Sequence, residues 1–492
     1  MLNRRRIVAI KREETMAIPE HINAIETGSE FFQMFRSQDK RPLDLSGHKF
    51  GGMYRNMNFG DGAQFTRFNN RKKVQFIDCT FGADVIWSHA NAEYLVEFVN
   101  CRFDRNTNFS SGIFSDVAFE ECIFSDGVNF ENSEFKKLSL SRCTSRSATK
   151  LDQAKIKVAD IHSSYIEGLS FSNGEAFGAF HVNNTEFFNI LIISGTRFMG
   201  GVSFTNCRFT TSSSFLDSRF SSISQFINCD FSKPVGFFNT TFDETAWFLN
   251  CQFQGIEFSC IGEVARKPAR LGIISFHHCR FFDFSNFKNR LFGDTTSFED
   301  SVFYKAPKFH NSALHQDTGF LPEQFKDISS DYAERAYRTL KLAMNKHHAH
   351  AEEMMFFRLE MQARRYKTKW PGKALYWLYE LCSDYGQSIA RPAGILFGSF
   401  WLFLVWYWMI LFNGRLDEVA ATAGSNRIGK LYVFTLEHTV PFLLPVLKAV
   451  DTLPGVGFSA WTSTLIAIHT TISIVLFFFL LLGIRNRFRL KG

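Results

Sequence analysis

The chain has 492 residues, a formal net charge of +7, 59 phenylalanines and ten cysteines. Its excess positive charge belongs mainly to the flanks of two apolar segments near the C-terminus, and the remainder is nearly balanced. This excludes a basic nucleic-acid footprint and gives no expectation of double-stranded DNA as a partner. No Gly-rich phosphate loop, His-Glu-x-x-His or Gly-x-Ser-x-Gly segment occurs, so neither catalytic residues nor a cofactor are expected.

Residues 1–44 read as an N-terminal tail or cap. Asn3-Arg4-Arg5-Arg6 is followed by only four apolar residues, too few for a signal peptide, so a reducing compartment is expected.

From Leu45 to Ser312 phenylalanine returns at steps of five and six, as in Phe198, Phe204, Phe209, Phe215, Phe220, Phe226, Phe231, Phe237, Phe242, Phe248 and Phe253. Two such eleven-residue units give a 22-residue period, too long for a heptad and suited to one solenoid coil. A second ladder keeps time with the first: Cys79, Cys101, Cys122 and Cys143, then Cys207, Cys229 and Cys251, in the frame Phe-x-x-Cys-x-Phe. The predicted core is therefore Phe204, Cys207, Phe209, Phe226, Cys229, Phe231, Phe248, Cys251, Phe253 and their equivalents. Each cysteine is expected to pack as a small apolar free thiol, and without a Cys-x-x-Cys pair no metal site is expected. Substitution at an intervening position such as Asp217 is expected to cost little.

These units resemble the pentapeptide-repeat proteins. Ala159-Asp160-Ile161 matches their usual Ala-Asp/Asn-Leu form, and Leu151, Ile156, Ile161, Ile166 and Phe171 keep their strict step of five. The resemblance implies a mainly β protein built on a right-handed quadrilateral β-helix over 45–312. The extra residue per eleven departs from the family pattern and implies two widened corners per coil. Some members mimic DNA by being strongly acidic, which this chain is not.

Residues 313–391 read as coupling and juxtamembrane helices. Tyr332, Ala336, Leu340, Ala343, Met344, Met355, Leu359 and Met361 recur at three and four, predicting a long amphipathic helix over 329–365 that either couples the rod to a membrane or caps its last coil. His347, His348 and His350 with Glu352 and Glu353 are expected to face water rather than bind metal. Leu375 to Leu381 is a second amphipathic stretch suited to the bilayer interface.

Residues 392–492 read as a two-span α-helical transmembrane domain, with spans at 393–412 and 460–484. Lys and Arg precede the first and follow the second, so both termini and the β-helix are expected on the cytoplasmic side of a bacterial inner membrane. Between the spans, 431–446 is too short to cross and too apolar for an ordinary loop, which suggests a re-entrant segment. Its Glu437 and His438, with His469, Thr470 and Ser473 of the second span, are the candidate pore-lining residues.

Two functions fit. One is an ion channel or pore formed by a homo-oligomer, expected to hold three to five subunits because one hairpin encloses nothing, and gated by a cytosolic ligand or partner. Sensor plus membrane hairpin also resembles effectors of bacterial anti-phage defence controlled by nucleotide or oligonucleotide signals; Arg266, Lys267 and Arg270, in a loop inserted into the rod, are the candidate contacts. The alternative is a membrane-tethered scaffold that recruits a protein partner.

Overall fold

The structure is a computed structural model that describes residues 18–412, 427–440 and 460–489. The chain divides into two compact units, which meet in sequence at Asp327 and Ile328. The first is a β-solenoid of about 12 turns.

Each coil has four short sides. In one, the strands are Arg197–Phe198, Val202–Thr205, Arg208–Phe209 and Ser213–Ser214. Each pairs in parallel with its counterpart one period later, so Phe198 faces Phe220, Phe204 faces Phe226 and Phe209 faces Phe231. The inward rings stack nearly flat: Phe204 on Phe226 at 5.3 Å, Phe226 on Phe248 at 4.8 Å, Phe209 on Phe231 at 4.5 Å. That column of buried rings is the core, each ring contributing roughly 1.5–3 kcal/mol through burial.

The five-and-six alternation has a structural reason. Where the step across a side is five, as from Phe114 to Phe119 or Ile156 to Ile161, one strand runs unbroken through it, over Ile113–Glu120 and Lys155–His162. Where the step is six, as from Phe198 to Phe204, the added residue in most coils splits that side, here into Arg197–Phe198 and Val202–Thr205, although Asn69–Ile77 and Thr144–Lys150 take it up in one strand. These are the widened corners. The other two corners turn on a left-handed residue, such as Asn206, Asp217, Asn228, Asn239 and Asn250, with φ of 52–54°. Asn and Asp tolerate that conformation best among residues with a Cβ. Their side chains also join coil to coil: Asn228 donates to Asn206 and Asn250 to Asn228, both at 2.9 Å, and Asn239 donates to Asp217 at 2.8 Å. Asp217 is therefore not the neutral position its place in the repeat suggests.

Residues of the small column do more than fill space. Cys229 Sγ donates to the Phe204 carbonyl at 3.3 Å and Cys251 Sγ to that of Phe226 at 3.1 Å, while Ser218 and Ser301 do the same with hydroxyls to Ile193 and Phe276. All ten cysteines are buried free thiols. Burial pushes the Cys229 and Cys251 thiols well up, which keeps them protonated as donors.

One coil breaks the column. After Cys260 the chain turns out of the rod, leaving Ile261 exposed, and rejoins at Arg270–Leu271. No small residue fills the next place, and Arg290, one coil further on, reaches across to it. Its guanidinium donates to the carbonyls of Phe258 at 3.0 Å, Thr240 at 2.6 Å and Phe237 at 2.5 Å, and its Cζ lies 4.8 Å from the Phe258 ring centre. Burial lowers its pKa to about 10, so it remains charged at neutral pH.

Helices α1 (Pro19–Thr27) and α2 (Ser29–Gln38) seal the first coil, with Phe32 against Phe59 at 5.0 Å and His21 Nδ1 accepting from the Asp44 amide at 3.0 Å. At the other end Phe320 and Phe325 continue the stack onto Phe298 and Phe303, at 5.5 and 5.6 Å.

The second unit is helical. In place of one long helix there is a hairpin of α3 (Ala333–Lys346) and α4 (His350–Lys367), broken where His348 takes φ 58°. His350 and Asn345 both bond Glu353 across the turn, at 3.2 and 2.8 Å. Then follow α5 (Gly372–Ser383), α6 (Ala390–Phe412), α7 (Arg427–Thr439) and α8 (Ala460–Arg489). Among the described residues two helices are long and apolar enough to cross a membrane, over Ala390–Ile410 and Ser463–Phe488; only 22% and 17% of their most apolar 18-residue segments is buried, unlike the core helix of a globular protein. The segment proposed as re-entrant begins within α7, and its part at 441–446 lies outside the described residues.

Candidate functional site

Helices α6 and α8 run antiparallel, since Leu396 packs with Leu476 while Phe403 stacks on His469 at 4.0 Å. Helix α7 lies against both. Its face of Leu431, Thr435 and Thr439, at a spacing of four, is buried, and Leu431 and Phe434 pack on Phe403 and Tyr407.

Where the three helices meet, polar side chains form two short chains of hydrogen bonds. Thr439 Oγ1 donates to the Thr435 carbonyl at 2.8 Å, which leaves the Thr439 hydroxyl oxygen to accept from His469 Nε2 at 3.1 Å. His469 Nδ1 then accepts from the Tyr407 hydroxyl at 3.2 Å, and one neutral tautomer satisfies both ring nitrogens. Alongside, Thr470 donates to the Ile466 carbonyl at 2.9 Å and accepts from His438 Nδ1 at 3.1 Å. The two imidazoles are 6.4 Å apart between centres. His469 is fully buried, and so is Ser473 one turn along, whose Oγ has no hydrogen-bond partner among the described residues. His469 lies six residues inside the apolar stretch that begins at Ser463, about 9 Å deep at 1.5 Å per residue.

Of the residues expected to line a pore, the structure thus brings together His438, His469 and Thr470, places Ser473 one turn away, and buries Glu437 at 7% exposure. Tyr407, Thr435 and Thr439 belong to the same cluster and were not singled out from sequence. The Thr435, Thr439 pair at four-residue spacing within an apolar helix was the available signal. On the rod, Arg266, Lys267 and Arg270 are all exposed, and the Arg270 guanidinium donates to the Gly293 carbonyl of the next coil at 2.9 Å through Nε.

A second set of contacts ties the α3–α4 hairpin to the base of the apolar helices. Glu360, 2% exposed, accepts from Lys341 at 2.6 Å and Arg338 at 2.9 Å, with Arg364 at 3.4 Å. Asp384 meets Arg358 at 3.4 Å and Arg391 at 3.7 Å, and Gln387 donates to the Met354 carbonyl at 2.6 Å. Asp384, Tyr385 and Gly386 all have positive φ, which exposes the Gly386 carbonyl to Asn486 of α8 at 3.0 Å. The φ of 80° at Gly386 favours glycine, and a Cβ there would also crowd the Leu482 side chain at 3.1 Å.

Burial alone would raise the Glu360 carboxyl, but the hydrogen bonds from Lys341 and Arg338 outweigh it and hold the group below its usual value. A carboxylate depressed on folding adds stability that is full above its unfolded pKa, about 4.3, and is lost as pH falls through the lower folded value. Glu360→Gln is expected to destabilise the helical unit by about 1–2 kcal/mol, the exposure of Arg338 and Arg364 limiting the loss. It should also flatten the acid limb of a thermal-unfolding series between pH 3 and 6; an acid limb identical to that of the unaltered protein would refute this role.

Fold and site together define a β-solenoid protein whose second unit carries two helices of membrane-crossing length. No protein-family model, curated protein or solved structure matches the chain.

Proposed function

We propose that this protein is a non-enzymatic membrane effector: a homo-oligomeric ion channel or pore whose cytoplasmic β-solenoid receives the gating ligand or partner. The observation that carries the reading is the buried Tyr407–His469–Thr439 chain with His438 and Thr470, set between helices of which two are of membrane length. Polar groups at that depth are costly and mark ion or proton pathways. The contacts of Asp384, Gln387 and Asn486 supply the mechanical link from the α3–α4 hairpin to the spans. Three to five copies placed around an axis, with α7 entering the bilayer from the outer side, would enclose the pathway. The rod is read as a variant pentapeptide-repeat domain, supported by the strict five-residue steps from Leu151 to Phe171. A nucleotide or oligonucleotide signal in bacterial anti-phage defence is the setting proposed for it, at the inner membrane.

The scaffold reading has its own support. Ile223, Trp247, Leu249 and Ile273 are exposed together on one solenoid face, in neighbouring positions of adjacent coils. Such a patch suits protein recruitment.

Recording current from the purified full-length protein in a planar bilayer separates the two. Discrete conductance steps are expected, altered in size or ion preference by His469→Ala and Glu437→Gln. Silence from protein shown to be inserted and oligomeric would favour the scaffold.

A further inference from the structure

Helix α5 leaves an apolar stripe uncovered. Ala374, Trp377, Leu378 and Leu381 recur at three and four along it, and Trp377, Leu378 and Leu381 are 55, 45 and 48% exposed. On one side of Trp377 lies a cavity of about 760 Å³ lined by Gln362, Arg365, Tyr366, Trp370, Lys373 and Leu378. On its other side a groove of about 680 Å³ continues past Leu381 to Arg391, Gly394 and Ile395 at the start of α6. One end of this path is therefore basic and aromatic, and the other runs onto the lateral surface of a membrane-length helix.

The cations divide into two kinds. Arg365 is held by Glu380, and Arg391 by the Glu380 carbonyl at 2.9 Å. Lys369 and Lys373, both exposed, have no carboxylate partner among the described residues. Trp370, 78% exposed, stands between them. Two unneutralised ammonium groups, Lys373 lining the cavity with Trp370 and Trp377 and Lys369 next to Trp370 in the chain, at the start of a helix whose other end packs on α6 and α8, match a phosphate at headgroup level above an acyl chain.

We propose that the α4–α5 cavity is a binding site for an anionic phospholipid, its phosphate on Lys369 and Lys373 and an acyl chain along Trp377, Leu381 and Ile395. This rests on α6 and α8 being membrane spans. Occupancy would hold α5, and with it the Glu380 and Asp384 contacts, against the membrane surface, making the coupling helices sensitive to lipid charge.

The test is native mass spectrometry of the full-length protein, delipidated in nonionic detergent and titrated with phosphatidylglycerol, phosphatidylcholine or inorganic phosphate. Phosphatidylglycerol is expected to be retained preferentially, and Lys369→Gln/Lys373→Gln to weaken its binding by about thirtyfold, at roughly 1 kcal/mol per surface cation. The paired substitution Lys305→Gln/Lys308→Gln on the rod should leave it unchanged. Equal retention of the two lipids, full retention by the Lys369/Lys373 variant, or competition by inorganic phosphate alone would overturn the site. Recovery of the protein from lysed cells in the soluble fraction without detergent would instead overturn the membrane reading beneath it.

Discussion

Arg290→Ala is expected to be among the most damaging single substitutions in the rod, costing about 3–5 kcal/mol. The guanidinium replaces donors that the insertion after Cys260 removes. In the preceding coils a small-column hydroxyl takes the carbonyl below, as Ser218 takes Ile193, and a backbone amide takes the next one, as Thr241 takes Ser218. With the chain diverted, the carbonyls of Phe237 and Thr240 have, among the described residues, Arg290 alone in those roles, and Phe258 is served by its Nε. Alanine would leave these buried acceptors without the charged donor, each hydrogen bond to a charged group being worth about 1.5–3 kcal/mol, offset by relief of the charge's own desolvation. Arg290→Ser restores the column residue and should recover only the Phe258 bond, while lysine, a point donor, cannot span three carbonyls. Hydrogen exchange across 228–292 in the full-length protein would read this directly. Protection equal to that of the unaltered protein would refute it.

Phe226→Ala should cost a similar 3–5 kcal/mol, for a different reason. Its ring is fully buried between Phe204 and Phe248, with Phe215 and Phe237 edge-on at 5.8 and 5.7 Å. Flat stacks on both sides resist collapse into the cavity, which places the loss at the upper part of the range for large-to-small changes. Gln225→Ala, one residue away and facing outward, is the matched control and should be nearly silent. Asp217→Ala should fall between them at about 1 kcal/mol, because it forces alanine into φ 52° and removes the acceptor of Asn239. Urea unfolding followed by the β-sheet circular dichroism signal would rank the three; equal losses for Phe226→Ala and Gln225→Ala would mean the register is wrong.

The rod was legible because its signal is repeated. A Phe that recurs at five and six, with Cys three places after it, states the coil length many times over, and each coil repeats the same pairing. The corners were harder to read, since Asn206 or Asp217 looks like any polar loop residue until its φ is known. Arg290 was invisible for the opposite reason: it occurs once, and its partners Phe237 and Thr240 are some fifty residues earlier. The break between α3 and α4 was missed because Met344 and Met355 stay in phase across it and no Gly or Pro lies between them. Glu360 held the missing clue, since a buried carboxylate requires cations from a facing helix. In the apolar helices His438, His469 and Thr470 stood out as ionisable or polar residues in oily surroundings. Tyr407 did not, because among Trp406 and Trp408 its hydroxyl reads as one more interfacial aromatic.

Because every ordinary coil presents the same two faces to its neighbours, the rod is divisible. An in-frame loss or duplication of 22 residues, cut at equivalent corners such as Asn206 and Asn228, would leave every stacking contact replaced by an identical one. Length is thus free to vary among descendants of this chain in whole coils. The span from Phe237 to Arg290 is the exception: there a donor in one coil serves acceptors in earlier ones, so a coil removed from within that block would strand them.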